Sequence, residues 1–184
     1  NRFKTVDHGY KLGSAEPWKK AIDRMLEGLI YPDGGGVTVN HPRWSRLKQE
    51  HLHEILDYDP RVFGIEVYNY SGGNKKSYPW SDYWSIDYWD RVLASGRQCF
   101  GVSVPDWAPA RGVNVLVVPE RTVHACLKAY REGNFYGAVF GNIVEFTGIA
   151  FDGRTFSAST DKPVRFELVS KKGVVATGEG TKFS

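Results

Sequence analysis

The stretch Gly-Ile-Glu-Val-Tyr-Asn at residues 64–69 is the middle one of three short segments that together decide the fold class, and it reads as a short buried strand that stops at a polar residue. Two segments of the same kind flank it along the chain. Gly-Gly-Val-Thr-Val-Asn-His-Pro ends at Pro42, and Gly-Val-Ser-Val-Pro-Asp-Trp covers residues 101–107. Strands that present polar residues from their carboxyl ends are typical of a barrel-type active site.

Helical patterns separate these strands. Apolar residues recur at helical spacing, and they predict helices over residues 18–29, 45–56, 83–94 and 121–132. A further strand is predicted at residues 113–118, just before the last helix. Strands that alternate with helices of this length indicate parallel βα units, so residues 1–140 are predicted to form an α/β barrel portion.

The pattern changes from about Ile143. Short strand-like runs follow one another, and Asp152-Gly153 and Lys172-Gly173 are hairpin turn signals between them. The predicted strands cover residues 145–150, 154–158, 164–169 and 174–176. Residues 141–184 are therefore predicted to form a small antiparallel β appendage.

Composition is that of an ordinary globular protein, with 41% hydrophobic and 24% charged residues among 184. A run long enough to span a membrane is missing from the sequence, and the net charge of +3 is too small and too scattered to suggest nucleic acid. Cys99 and Cys126 lie in apolar surroundings, so we expect both to be free and buried. Since the chain begins with Asn1, we expect a processed or truncated piece, and the compartment stays open between cytoplasmic and exported.

Aromatic residues are dense between Tyr68 and Trp89, with five Tyr and three Trp. Two interpretations stay open. The rings form a stacking surface for a carbohydrate or a base, or they cover the mouth of a barrel.

Three residues are candidate metal ligands. His41 follows a strand and precedes Pro42, which favours an extended backbone, and a neutral imidazole there suits zinc, iron or manganese. Asp106 follows the strand that ends near Val104, where it binds a metal or caps the next turn. His8, in Val-Asp-His-Gly, is a ligand at a strand end or a surface histidine.

Other polar and aromatic residues are candidates for binding substrate. Arg43 and Arg111 follow strand ends, where a cation can hold an anionic group such as phosphate, and the alternative is solvated charge. Asn69 is the last residue of its predicted strand and lies at the rim of the predicted pocket. Trp107, next to Asp106, is a second candidate pocket residue. Glu66 is three residues earlier, and strict alternation places it on the other face as a supporting group.

Motifs for nucleophilic or nucleotide chemistry are missing from the sequence. It has no Gly-x-Ser-x-Gly elbow, no phosphate-binding Gly-x-x-x-x-Gly-Lys-Ser/Thr loop and no Gly-x-Gly-x-x-Gly fingerprint. The sequence therefore favours metal chemistry or plain binding, and it assigns no catalytic residue.

Five short motifs, in order, resemble those of the PHP (polymerase and histidinol phosphatase) superfamily. They are Val-Asp-His-Gly at 6–9, Asn-His-Pro at 40–42, Gly-Ile-Glu-Val-Tyr-Asn at 64–69, Trp-Asp-Arg-Val-Leu with Gly-Arg at 89–97, and Ala-Tyr-Arg-Glu-Gly-Asn-Phe-Tyr at 129–136. The resemblance covers roughly residues 3–139, and the tail is similar to a β extension that some bacterial members carry.

The resemblance implies a metal-dependent phosphoesterase on a distorted (βα)7 TIM-like barrel. His8, His41 and Asp106 would be ligands of a divalent metal, and a metal-bound hydroxide would attack the phosphorus of a small phosphorylated molecule.

This chain departs from the family pattern in three places. No His-x-His strand precedes Asp7, no Gly-x-Glu motif lies between the first two motifs, and Ala108 stands where an Asp-x-His pair would place histidine. The chain is then a truncated enzyme, or a degenerate module that binds a ligand or partner through an aromatic-rich pocket. A third interpretation, from the aromatic density and the β tail, is an extracellular carbohydrate-associated protein.

Overall fold

The computed structural model describes residues 5–6, 9–10, 17–69, 85–104, 112–139 and 141–184. The chain divides into two compact units, Asn1–Val139 and Phe140–Ser184. The described elements, in chain order, are β1 (Thr5–Val6), β2 (Gly9–Tyr10), α1 (Trp18–Glu27), β3 (Val37–Val39), α2 (Gln49–Leu56), β4 (Val62–Asn69), α3 (Ile86–Ala94), β5 (Phe100–Val104), β6 (Gly112–Leu116), α4 (Val123–Glu132), β7 (Phe135–Val139), β8 (Phe146–Phe151), β9 (Phe156–Ser170) and β10 (Gly173–Phe183). No helix in these ranges is long and apolar enough to cross a membrane.

The first unit contains a three-stranded parallel sheet in the order β3-β4-β5. Helix α2 connects β3 to β4, and α3 lies between β4 and β5 along the chain. The ladder aligns Val39 with Ile65 and Ile65 with Gly101. The predicted parallel pairing is confirmed for these three strands.

The predicted (βα)7 barrel is wrong. Strands β6 and β7 flank helix α4 in the chain, yet they pair antiparallel, with Gly112 opposite Val139. A barrel of βα units needs every strand to run in the same direction, and this pair does not. The described residues form four helices and several small sheets, in a mixed arrangement of helix and strand.

The core of the first unit lies on the side of the parallel sheet that the helices cover. Helices α1, α2 and α3 contribute buried side chains to it, and so does the middle of β4. Its members are Trp18, Ile22, Leu26, Leu52, Ile55, Leu56, Val62, Ile65, Val92 and Cys99. Each large aliphatic side chain buried in this way stabilises the fold by about 1.5–3 kcal/mol.

Helix α2 is shorter than its sequence pattern predicts. The helix was expected from residue 45, but it begins at Gln49, and Lys48 before it is extended. Residues 41–46 form a turn instead, in which the backbone N–H of Ser45 donates to the carbonyl of His41. Arg46 in this turn has a positive φ of 51°, which no helical residue has.

The second unit is an antiparallel sheet in the order β10-β9-β8. Its predicted antiparallel character is confirmed. Residues 156–158 of one predicted strand and all of the predicted strand 164–169 belong to the single 15-residue strand β9. Pro163 lies within β9, between the stretch that pairs with β8 and the stretch that resumes its ladder with β10 at Val164. A proline has no N–H to donate, so it is tolerated where the ladder is irregular.

We expect Ile65→Ala to lower the free energy of unfolding of this chain by about 2–5 kcal/mol, because it leaves a cavity in the core. Ile65 is 0% exposed, whereas Ile30 is 80% exposed and provides a matched control. Ile30→Ala should change the stability by no more than about 0.5 kcal/mol. Urea unfolding followed by circular dichroism measures both, and equal losses would show that this core is assigned wrongly.

Candidate functional site

The carboxyl ends of β3, β4 and β5 meet at one edge of the parallel sheet. Strand β4 ends at Asn69, whose register partner is Val104, the last residue of β5. His41 lies two residues beyond the end of β3. In open α/β sheets, ligands bind at this edge. The structure therefore brings two of the predicted site residues, His41 and Asn69, to the same edge.

A β-bulge in β4 sets the direction of its polar side chains. Val67 is the extra residue, since Glu66 pairs with Val102 and Tyr68 pairs with Ser103. The bulge reverses the alternation, so Glu66 and Asn69 lie on the same face, like their partners Val102 and Val104. The expectation that they lie on opposite faces is wrong, because strict alternation holds only in a regular strand.

The side chain of Asn69 has a buried oxygen without a hydrogen-bond donor among the described residues. Its side chain is 4% exposed, and its Oδ1 receives no hydrogen bond from the residues that the structure describes. A buried acceptor without a donor costs about 1–3 kcal/mol. Native proteins rarely retain such an atom unless an ordered water, a ligand or an ion satisfies it. Glu66 adds a second buried side chain on the same face.

A cleft of about 410 Å³ opens on this face of the sheet. Val102 and Val104, the register partners of Glu66 and Asn69, belong to its lining, and so do Thr38 of β3 and Tyr130 of α4. The described lining of this cleft is mostly apolar, and neither Asn69 nor His41 belongs to it. The cleft and the two polar residues therefore lie at separate places on the first unit.

His41 does not have the extended backbone that its proline neighbour predicts. Its φ is 32°, in the left-handed region, because residues 41–46 turn sharply. The Nδ1 atom lies 3.0 Å from the Oγ of Ser45, and the ring of Trp44 packs edge-on at 5.1 Å. When Nδ1 donates to the Ser45 hydroxyl, the lone pair of Nε2 is available for a metal, which is the common arrangement of metal-binding histidines.

Arg43 is engaged with helix α3. Its Nη1 donates to the Oδ1 of Asp87 at 2.9 Å, and the other oxygen of Asp87 accepts from Arg91 at 3.0 Å. An anionic ligand would have to compete with this carboxylate for Arg43.

The remaining candidates, His8, Asp106, Trp107 and Arg111, lie outside the described residues. Among the residues described, no group of three or more His, Cys, Asp or Glu side chains is placed to hold a metal ion.

Asn114 is a structural residue of this region that the sequence patterns did not single out. Its side-chain Oδ1 accepts from the backbone N–H of Ser103 at 2.9 Å, and its Nδ2 donates to the Ser103 carbonyl at 2.8 Å. This amide therefore joins β6 to the edge of β5 that lies opposite β4. The signal in the sequence is an amide between Val113 and Val115, since asparagine is disfavoured in a strand.

No protein-family model, curated protein or solved structure matches this chain. The role of the site is therefore inferred from its own residues.

Asn69→Leu should raise the free energy of unfolding of the protein without added ligand by about 1–3 kcal/mol, because it removes a buried acceptor that lacks a donor. Asn114→Leu is the matched control. It should lower the stability, because it breaks two hydrogen bonds and leaves the backbone of Ser103 without them. A loss of stability in Asn69→Leu equal to that in Asn114→Leu would show that the Asn69 amide is bonded inside the protein. Urea unfolding provides the measurement.

Cys99 should be inert toward thiol reagents, while Cys126 should react. Burial raises the pKa of the Cys99 thiol to about 12, and the thiolate is the reactive form. Cys126 is partly exposed on α4, so the expectation that both cysteines are buried is wrong for this one. Titration of the native protein with 5,5′-dithiobis(2-nitrobenzoate) at pH 8 should detect one fast thiol, and Cys126→Ser should remove it. A fast thiol in that variant would contradict the burial of Cys99.

Proposed function

We propose that this chain binds a small phosphorylated molecule through one divalent metal ion at the carboxyl edge of its parallel sheet. The single observation that carries the proposal is the buried Oδ1 of Asn69, which no described residue supplies with a hydrogen bond. We propose a PHP-like binding module, in line with the motifs in its sequence that resemble those of that superfamily.

The chemistry of the edge favours a cation over a bare phosphate. The Asn69 Oδ1 accepts hydrogen bonds, as the oxygens of phosphate do, so the two repel rather than pair. A divalent cation satisfies the amide oxygen and attracts the phosphate at the same time. The positive charge of Arg43, which would otherwise attract an anion, is already paired with Asp87.

His41 is the proposed nitrogen ligand. Its Nδ1 is held by Ser45, which fixes the ring and directs Nε2 away from that bond. His41 and Asn69 lie at the carboxyl ends of adjacent strands of one sheet. Zinc, manganese and iron all accept imidazole and oxygen ligands. A metal bound there would supply a positive charge that polarises a phosphate oxygen.

The second candidate function is hydrolysis of the same phosphate ester. The hydrogen bond between His41 and Ser45 favours it, because a histidine oriented in this way is common in catalytic metal sites. Ala108 argues for binding alone, since a histidine ligand is expected at that position in an active member of the superfamily.

His41→Ala should weaken metal binding by at least about 10–100-fold. Removing a residue that only supports a metal ligand costs about that much affinity, and removing the ligand itself should cost no less. His124→Ala is the control, because His124 lies on α4 and pairs with Asp33. Metal content by plasma mass spectrometry, followed by titration with manganese and zinc, measures both variants. Metal retained at full affinity in His41→Ala would refute the site.

Metal stoichiometry and turnover separate the two candidates. One equivalent of metal, with tighter binding of a phosphate ester and no release of inorganic phosphate, is the expected result for a binding module. Two or more equivalents with turnover of a generic phosphate ester would establish the hydrolase instead.

A further inference from the structure

Strand β8 forms one edge of the sheet in the second unit. It pairs with β9 on one side, and no other described strand pairs with it. All six of its residues are exposed, and none of them is charged. Protein sheets usually protect such an edge with charges, prolines or a covering element. An exposed and uncharged edge strand is a ready template for pairing with another strand.

The apolar side chains of this edge lie on one face. Ile149 pairs with Ala158 and Phe151 with Phe156, so the two side chains share a face of the sheet. They are 57% and 68% exposed. A register shift at Thr147 interrupts the strand, and the residues from Gly148 onward are regular.

We propose that β8 pairs antiparallel with β8 of a second copy of this chain, about a two-fold axis at Ala150. A two-fold axis perpendicular to a sheet pairs residues of equal parity, so Ile149 falls opposite the partner's Phe151. The two-fold axis repeats this contact, so the dimer contains two cross-strand pairs, each of an aromatic with a β-branched side chain. Such pairs stabilise a sheet by roughly 0.2–1 kcal/mol each.

The charged residues near β8 do not oppose this pairing of the two strands. Asp152, the first charged residue after β8, falls opposite the partner's Gly148, and Glu145 lies beyond the paired stretch. No like charges are opposed. A different protein would need a matching uncharged strand of its own, whereas a second copy supplies one with the correct pattern.

The proposed contact between the two copies is small. A pairing of about five residues on each side buries less than the roughly 1,200–2,000 Å² of a stable interface. The dimer is therefore weak, and it exchanges with monomer as the protein is diluted.

Sedimentation equilibrium of the full chain over a range of concentrations tests the proposal. The average mass should rise from one chain toward two as the concentration increases. Ala150→Lys places two ammonium groups opposite each other at the axis, and it should keep the protein monomeric throughout. Val175→Lys, at an exposed position on β10 at the other edge of the sheet, should dimerise like the wild type.

Cross-linking tests the register independently of whether Ala150→Lys folds. Directly opposite residues of an antiparallel pair have Cα atoms about 4.5–5.5 Å apart, which is within reach of a disulfide. In a Cys126→Ser background, Ala150→Cys should oxidise to a covalent dimer, and Val175→Cys should not. A wild type that stays monomeric, or equal cross-linking at both positions, would overturn the proposal and leave this edge to a strand from a different protein.

Discussion

The burial of β4 on both faces is the constraint on which the first unit depends. This central strand of the parallel sheet bonds to β3 on one side and β5 on the other. Ile65 faces the core that helices α1 to α3 build, and Glu66 faces the opposite side. A strand enclosed in this way must satisfy every polar atom that it carries. The Asn69 amide is therefore informative, since the same atom on an exposed strand would be satisfied by water.

Much of the local structure is predictable from the sequence, while the way the elements assemble is not. Helix α1 and the parallel strands follow from apolar periodicity, because burial of one face or of both leaves a repeating pattern. The direction of β7 relative to β6 leaves no such pattern. After a helix of the length of α4, the next strand can pair with the strand before the helix in either direction. Here it pairs antiparallel, so the barrel prediction failed at this step.

The site was predictable to a similar degree. His41 and Asn69 were predicted because they lie at the ends of strands, and the structure places both at one edge of the sheet. The bulge at Val67 could not be predicted, because one unpaired residue depends on the neighbouring strand and not on the residues of β4 alone. This bulge places Glu66 and Asn69 on the same face of the sheet. The turn at residues 41–46 could not be predicted either, since the positive φ of Arg46 contradicts the local helical pattern.

The pairing pattern of the two sheets also has a kinetic consequence. In the second unit, each strand pairs with the next one along the chain, so short loops close its contacts. The ladders of β3, β4 and β5 join residues separated by whole helices, and closing those longer loops costs more entropy before any contact forms. Contacts that are local in sequence form faster than distant ones. The sheet of the second unit, although it is synthesised after the parallel sheet, therefore has the lower topological barrier to forming, and the parallel sheet that carries the site has the higher one.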